Sequence, residues 1–424
     1  MNPDRGGEGL FPLFAKVVFN AGLKEIAMRK VLVVYGTRPE AIKMAPLIHA
    51  LASSPHCTPV VAVTGQHREM LDQVNRLFAI QPHHDLNIIT QAQTLESVTA
   101  RVLAGVANLI EIEAPDALVV QGDTTTCFAA ALAAFYRKIP LIHLEAGLRT
   151  GERHNPFPEE INRRLTTQLA ALHLAPTHTS KANLLNDGVA ENDIVVTGNT
   201  VIDALLHVSG RNDQTENQDL RRIMGRRSVL VTAHRRESWG EPMAQTARAI
   251  ARLARKFPEI AFLLPAHLNP AVRDVLLPPL QGLENVLITQ PLDYGDFVKA
   301  MRDCSIVLTD SGGVQEEAPT FGKPVLVMRE TTERPEAVAA GTVRLVGTNE
   351  DRIVSEVSEL LTDRRAYQEM ARAVNPYGDG QAAMRSVQAI EHFFALGERP
   401  SEFDAGVDTS DVPSVARVVS GFAA

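Results

Sequence analysis

Short apolar runs alternate with helix-length segments along almost the whole chain. In the first half, Val31–Tyr35, Val60–Thr64, Ala117–Gln121, Leu141–Leu144, Ala171–Leu174 and Ile194–Thr197 read as strands. In the second half, Ser228–Ala233, Ala261–Leu264, Val286–Thr289, Ser305–Thr309, Pro324–Met328 and Val343–Val346 read the same way. Most of these runs are continuous rather than alternating, which is the pattern of strands covered on both faces. The expected fold class is α/β, with two Rossmann-like doubly wound parallel-sheet domains facing across a cleft. The polar stretch Gly210–Arg227 separates the two sets of strands. The domains are expected over residues 28–205 and 206–377. In open parallel sheets ligands bind beyond the carboxyl ends of the strands, so the cleft is the expected site.

The two ends read differently. Residues 1–27 form an extension whose apolar stretch is interrupted by Lys16 and preceded by Asp4 and Glu8, a poor signal peptide. Met28, just ahead of the first strand, is a candidate start. Residues 397–424 are polar with weak periodicity and read as a flexible tail.

Composition narrows the function. The chain has 424 residues and a formal net charge of -8. No global basic field exists to attract polyanions, so neither nucleic acid nor a membrane surface is expected as a partner. No run approaches the ~18 apolar residues of a membrane span. Cys57, Cys127 and Cys304 are odd in number and widely spaced, without a CxxC pattern. Free thiols in a reducing cytoplasm are the expectation.

Several strand ends carry candidate chemistry. The first strand runs into Gly36-Thr37-Arg38-Pro39-Glu40, a turn and helix start that suit an anion or simply a tight turn with a surface charge. No GxGxxG opens either domain, so NAD binding lacks its usual support. Asp310-Ser311-Gly312-Gly313 ends a strand and opens a helix expected over Val314–Phe321. Its amides and Ser311 suit a diphosphate, and Glu316 or Glu317 suits a ribose diol; a plain capped helix start reads equally well. Asp123 follows a strand and is either an acid–base group or an N-cap. Glu145 follows Ile142-His143-Leu144 and is either an acid–base group or half of an ion pair with Arg149 or Arg153. Glu159 follows Pro158, which suits helix position N1, so it is either catalytic or a first-turn acid. His234, beside Arg235 and Arg236, suits an anion clamp. HExxH and GxSxG are absent, and adjacent His83 and His84 lack zinc spacing, so no metal is expected.

In order along the chain, GTRPEAIKMAPL, GQHREMLDQV, GDTTT, HLEAGLRTG, PFPEEINR, TGNTVIDAL, TAHRRES, AHLNP, TDSGGVQEEAP, TTERPEAV and NPYGDGQA resemble the non-hydrolysing UDP-N-acetylglucosamine 2-epimerases of bacteria. The resemblance runs from about Lys30 to about Gln381. It implies the glycosyltransferase-B architecture, a homodimer, and a C-terminal helix, residues 378–396, returning to the first domain. It implies reversible interconversion of UDP-N-acetylglucosamine and UDP-N-acetylmannosamine without NAD or metal. Acid–base roles would fall on Asp123, Glu145 and Glu159, with His234 close to the diphosphate. Nucleotide contacts would fall on Arg38, Lys43, Ser311, Gly312, Gly313, Glu317 and Arg334. A second nucleotide-sugar site, allosteric in regulated members, would involve Gln66, His67, Arg235 and His267. A glycosyltransferase of the same architecture and a non-catalytic nucleotide-sugar sensor are the competing readings; three carboxylates around one cleft favour the epimerase.

Overall fold

The structure, a computed structural model, describes residues 28–65, 68–88, 93–211, 215, 217–235 and 238–406. Among the described residues, thirteen strands fall into two sheets. The first contains β1 (Arg29–Tyr35), β2 (Cys57–Val63), β3 (His84–Asp85), β4 (Ala117–Gln121), β5 (Leu141–Leu144), β6 (Leu172–Ala175) and β7 (Ile194–Val196). The second contains β8 (Ser228–Thr232), β9 (Ala261–Pro265), β10 (Val286–Thr289), β11 (Ile306–Thr309), β12 (Val325–Val327) and β13 (Val343–Leu345). The spatial orders are β3-β2-β1-β4-β5-β6-β7 and β10-β9-β8-β11-β12-β13. Every pairing is parallel.

The continuous apolar runs are explained by burial on both faces. On β1, Val31, Val33 and Tyr35 enter one core cluster while Leu32 and Val34 enter another on the opposite face. On β8, Leu230 faces the first cluster, and Val229 and Val231 face a third. Each fully buried aliphatic side chain of this kind contributes roughly 1.5–3 kcal/mol. The sequence reading missed β3. Its two residues carry no hydrophobic pattern, and the pairing of Ala62 with His84 and Val63 with Asp85 is fixed by the neighbouring strand.

The order in which strands are added reverses between β1 and β4 in one sheet and between β8 and β11 in the other, although all strands run parallel. These switch points splay adjacent loops apart at the carboxyl ends of the strands and open a crevice there. The two sheets share one core. Leu205 of the helix Thr200–Ser209 and Val298 of the helix Tyr294–Asp303 belong to the same cluster, and those two helices pack together. The helix Thr200–Ser209 spans the expected boundary at residue 206 and packs on helices of both units.

The C-terminal helix, Ala382–Phe393, packs on the helices Arg38–Ala52 and Thr200–Ser209. Asp203 accepts from the amides of Ala382 at 3.2 Å and Ala383 at 2.9 Å, which satisfies two of the orphan donors at the helix start. Beyond it, residues as far as 406 are not the flexible tail expected from composition. Arg399 donates to the carbonyls of Asn192 and Ile194, and the Phe403 amide to Val196 at 2.8 Å. This segment runs beside β7, the edge strand, and buries Phe403. Residues 1–27 and 407–424 lie outside the described residues. Among the described residues, no helix is long and apolar enough to cross a membrane. Cys57, Cys127 and Cys304 are all buried free thiols.

Candidate active site

The loop after β1 is held by Glu40. Its buried carboxylate accepts from the amides of Gly36 at 3.1 Å and Thr37 at 2.8 Å and from the Thr124 hydroxyl at 2.7 Å. It thereby closes the N-terminal turn of the helix Arg38–Ala52 and ties it to the loop after β4. Gly36 is required because a Cβ would collide with the Thr64 and Thr126 hydroxyls. Arg38 opens the helix, and its charge reaches Glu317 and Tyr294 in the second unit.

One turn further on, Lys43 points at Glu145. The Glu145 carboxylate is bonded to the Lys43 ammonium, to the Gln121 amide at the end of β4, and to Asn199 Nδ2 at 3.1 Å. Burial pulls the Lys43 ammonium down, but Glu145 and then Glu316 outweigh it and hold Lys43 above its ordinary range. Glu145 sits just past β5 at φ 61°, a left-handed conformation that is costly for a side chain with a Cβ. The ion pair expected locally, with Arg149 or Arg153, does not form. Arg149 turns away to Asp187 at 2.9 Å and to the Thr167 hydroxyl at 2.8 Å.

Asp123 follows Gly122 at the end of β4 and does not cap the next helix. Thr124 is the N-cap, its side chain accepting from the Cys127 amide. The Asp123 carboxylate instead accepts from Arg163 Nε at 3.0 Å, and its carbonyl accepts from Asn162 Nδ2 at 3.0 Å. Glu159 is the first residue of the helix Glu159–Leu169, and Pro158 takes the cap position rather than N1. Its neighbour Glu160 performs the structural work, accepting from the amides of Thr150 and Gly151 and from Arg163 and Arg164. Glu159 is half-buried, and burial, then the nearby Asp123 charge, raises its carboxyl above the usual range.

The second sheet contributes the opposite wall. Ser311 is the N-cap of a helix running over Gly312–Glu317, not Val314–Phe321 as expected. Pro319 lacks an amide donor, and Ala318–Phe321 tightens into a 3₁₀ turn. Gly312 leaves room for Arg334, whose guanidinium donates to Glu316 at 2.6 Å and Glu333 at 3.1 Å. Glu333 is half-buried, which alone would raise it, but Arg334, Arg163, Arg235 and Arg329 hold it below the usual range. Glu316 also accepts from Asn199 Nδ2 at 3.0 Å. Glu317 accepts from the Tyr294 hydroxyl at 3.0 Å, and burial pushes its carboxyl up to about 7.

After β8, His234 Nδ1 lies 3.0 Å from Asp310 Oδ1, and the amides of His234 and Arg235 donate to Oδ2 at 2.7 and 2.8 Å. Burial would raise the Asp310 carboxyl, but His234 and these two amides outweigh it. The His267 ring stacks on His234 at 5.8 Å. His267 is pulled down by burial and by His234.

The residues singled out in sequence thus converge. Lys43, Glu145, Glu316 and Arg334 form one chain of polar contacts, joined through Asn199, and Glu333 links it electrostatically to Arg163 and Asp123. Arg235 and His267 border the same wall, whereas Gln66 and His67 lie outside the described residues. Sequence reasoning missed Gln121, Arg163, Asn199, Tyr294 and Glu333. Asn199 was visible in TGNT and Arg163 in PEEINR, but nothing in their spacing named their partners.

The whole arrangement has relatives of known kind. Residues 49–391 match the family model described as UDP-N-acetylglucosamine 2-epimerase. A probable UDP-N-acetylglucosamine 2-epimerase of Ralstonia nicotianae is 54% identical over 87% of this chain and 100% of its own length. The crystal structure of a UDP-GlcNAc 2-epimerase from Neisseria meningitidis bound to UDP-GlcNAc is 46% identical, with a TM-score of 0.80 over 86% of this chain and 100% of that one. The 2.2 Å structure of a putative UDP-N-acetylglucosamine 2-epimerase from Listeria monocytogenes is also 46% identical, with a TM-score of 0.83 over 89% of this chain and 100% of that one. With two doubly wound units sharing a site at both switch points, the molecule is a nucleotide-sugar enzyme of glycosyltransferase-B architecture. The chain belongs to the UDP-N-acetylglucosamine 2-epimerase family.

Proposed function

We propose that this enzyme reversibly converts UDP-N-acetylglucosamine to UDP-N-acetylmannosamine by anti elimination and re-addition, without NAD or a metal ion. C2 of the sugar is not next to a carbonyl, so its proton is not readily removed. Cleavage of the C1–O bond to UDP, before or together with proton loss, makes C2–H labile. A base takes the C2 proton, the C1–C2 double bond of 2-acetamidoglucal forms, and UDP leaves with the C1–O electron pair. UDP then re-adds at C1 while C2 receives a proton on the other face.

Two faces need two proton-transfer groups. Asp123, Glu145 and Glu159 supply them. The observation that carries this reading is the contrast between Asp123 and Glu159. Arg163 binds the Asp123 carboxylate, while burial and the Asp123 charge favour the neutral form of Glu159. A carboxyl favoured in its neutral form beside a carboxylate held by an arginine suits an acid and a base. His234, Arg38, Lys43, Arg334, Ser311 and the amides of Gly312 and Gly313 stabilise the departing diphosphate, the largest developing charge. Glu317 receives the ribose hydroxyls. Arg235 and His267, with Gln66 and His67, form a second, regulatory nucleotide-sugar site.

The working state is a cytoplasmic homodimer, supported by exposed Phe135 and Tyr136 around an apolar cavity of about 520 Å³ at the base of the first sheet. The product supplies N-acetylmannosamine units for surface polysaccharide. Proton NMR of UDP-N-acetylglucosamine incubated with the protein in heavy water tests the chemistry. Deuterium at C2 without any acceptor is expected; turnover that retains the original C2 hydrogen overturns the elimination route.

A further inference from the structure

We propose that His143 is a positioning residue for Asp123, fixing through one hydrogen bond the peptide from which the Asp123 side chain projects. The inference rests on the acid–base reading of Asp123 given above.

His143 lies on β5, paired in register with Val120 of β4, and is wholly buried. Its Nε2 is 2.7 Å from the carbonyl oxygen of Gly122. A carbonyl only accepts, so the ring proton sits on Nε2 and Nδ1 carries the lone pair. That Nδ1 is buried with no hydrogen-bond partner. Burial pushes the imidazole down to about 3, so the ring is a neutral donor of fixed tautomer at any pH where the enzyme works. It cannot exchange protons with substrate through the strand, and its chemistry is confined to the one bond it makes.

That bond is well placed to matter. Gly122 adopts φ 70° at the sharp turn between β4 and the next helix, and Asp123 is the following residue. The Gly122 carbonyl also receives the Cys127 thiol at 3.2 Å, a weaker donor. The next carbonyl, that of Asp123, is held by Asn162 at 3.0 Å, and the carboxylate by Arg163. Two successive peptide carbonyls and the side chain are therefore each pinned from a different direction, from β5 and from the helix Glu159–Leu169. A buried strand position would ordinarily hold an aliphatic residue, as Ile142 and Leu144 do on either side. An imidazole with one orphaned nitrogen is a costly occupant unless its other nitrogen is needed. Proton transfer is sensitive to displacements well below 1 Å, so loosening this turn should affect the chemical step more than binding.

The test compares His143→Phe, which fills the ring volume without a donor, with His143→Gln, which restores an N–H near Nε2. The Phe variant should lose at least tenfold in kcat while KM and the affinity for UDP stay within twofold. In the same variant the kcat–pH profile should move. The Gln variant should recover most of the rate and the original profile. Should the Phe variant fail to fold, His143→Met takes its place with the same expected split. A donor-free variant with wild-type kcat, or Gln and Phe variants equally slow and equally destabilised, overturns the proposal. Asp123→Asn measured alongside separates the two levels. If it retains turnover, the reading of Asp123 itself fails. If it is inactive while the donor-free variant runs normally, only the positioning role fails.

Discussion

A single side-chain amide, Asn199 Nδ2, donates to Glu145 Oε1 at 3.1 Å and to Glu316 Oε2 at 3.0 Å. One acceptor, just past β5, belongs to the first unit, and the other, on the helix Gly312–Glu317, to the second. The same residue's Oδ1 caps the helix Thr200–Ser209 by accepting from the Val201 amide. Asn199 is therefore a joint between the two units and a neutralising donor between two carboxylates that would otherwise repel.

Replacing Asn199 by Asp keeps the cap and turns the joint into a third negative charge. The expected cost is about 3–5 kcal/mol of stability, the usual penalty for an uncompensated buried charge. Turnover should fall at least tenfold, because Glu145 loses a donor and Lys43 is drawn toward a new partner. Thermal melts and initial rates check this; a variant of unchanged rate would show that Glu145 is not held through Asn199.

Asp123→Asn removes the charge that Arg163 holds while leaving the Thr124 cap in place. UDP binding by calorimetry should stay within twofold, and turnover should drop by roughly 10²–10⁴, the range of general acid–base contributions. Near-normal turnover would return Asp123 to a purely structural partner of Arg163.

The architecture was legible because it is written in local pattern. Strands buried on both faces must be apolar throughout, and Val31–Tyr35 or Ala117–Gln121 could be little else. The positions of Asp123, Glu145, His234 and Ser311 at strand ends followed from the same pattern. Their partners did not. Lys43 and Glu145 are 102 positions apart, and the nearer arginine, Arg149, is committed to Asp187. Sequence proximity favours the wrong cation, and only the β1–β4–β5 order brings the right one close. Residues 397–406 were misjudged for a related reason. The few contacts of Arg399 and Phe403 need no periodic pattern, so the segment looks unstructured until the β7 edge is there to receive it.

Gly312 and Gly313 make a controlled pair. A Cβ on Gly312 would lie 2.7 Å from Arg334 Nη1 and 2.8 Å from Cζ. Arg334 is buried and anchored by Glu316 and Glu333, so it has little freedom to yield. Gly312→Ala should weaken UDP binding about tenfold and cost roughly 1–3 kcal/mol of stability. A Cβ on Gly313 meets only Glu317 Oε1 at 3.4 Å, so Gly313→Ala should disturb Arg334 far less. Calorimetric titration of both variants with UDP decides the matter, and equal losses would mean that Arg334 does not depend on the space Gly312 leaves.

Glu317 carries a pH signature. Its ordinary value of 4.5 is raised by burial to about 7 in the folded protein. Between those values the native state holds a proton that the unfolded chain has released. Stability attributable to this group is therefore full below the unfolded value and declines as pH rises toward the folded one. The loss amounts to about 3 kcal/mol at most, since each tenfold change in proton affinity is worth roughly 1.36 kcal/mol. Glu317→Gln keeps an acceptor for Tyr294 but cannot ionise. The stability of the Gln variant relative to the wild-type chain should therefore increase from about pH 4.5 to about pH 7 and then level off. Urea unfolding of both proteins across this range measures the difference. Parallel curves would mean that Glu317 titrates in the folded protein as it does in the unfolded chain, with Arg38 and Lys43 offsetting its burial.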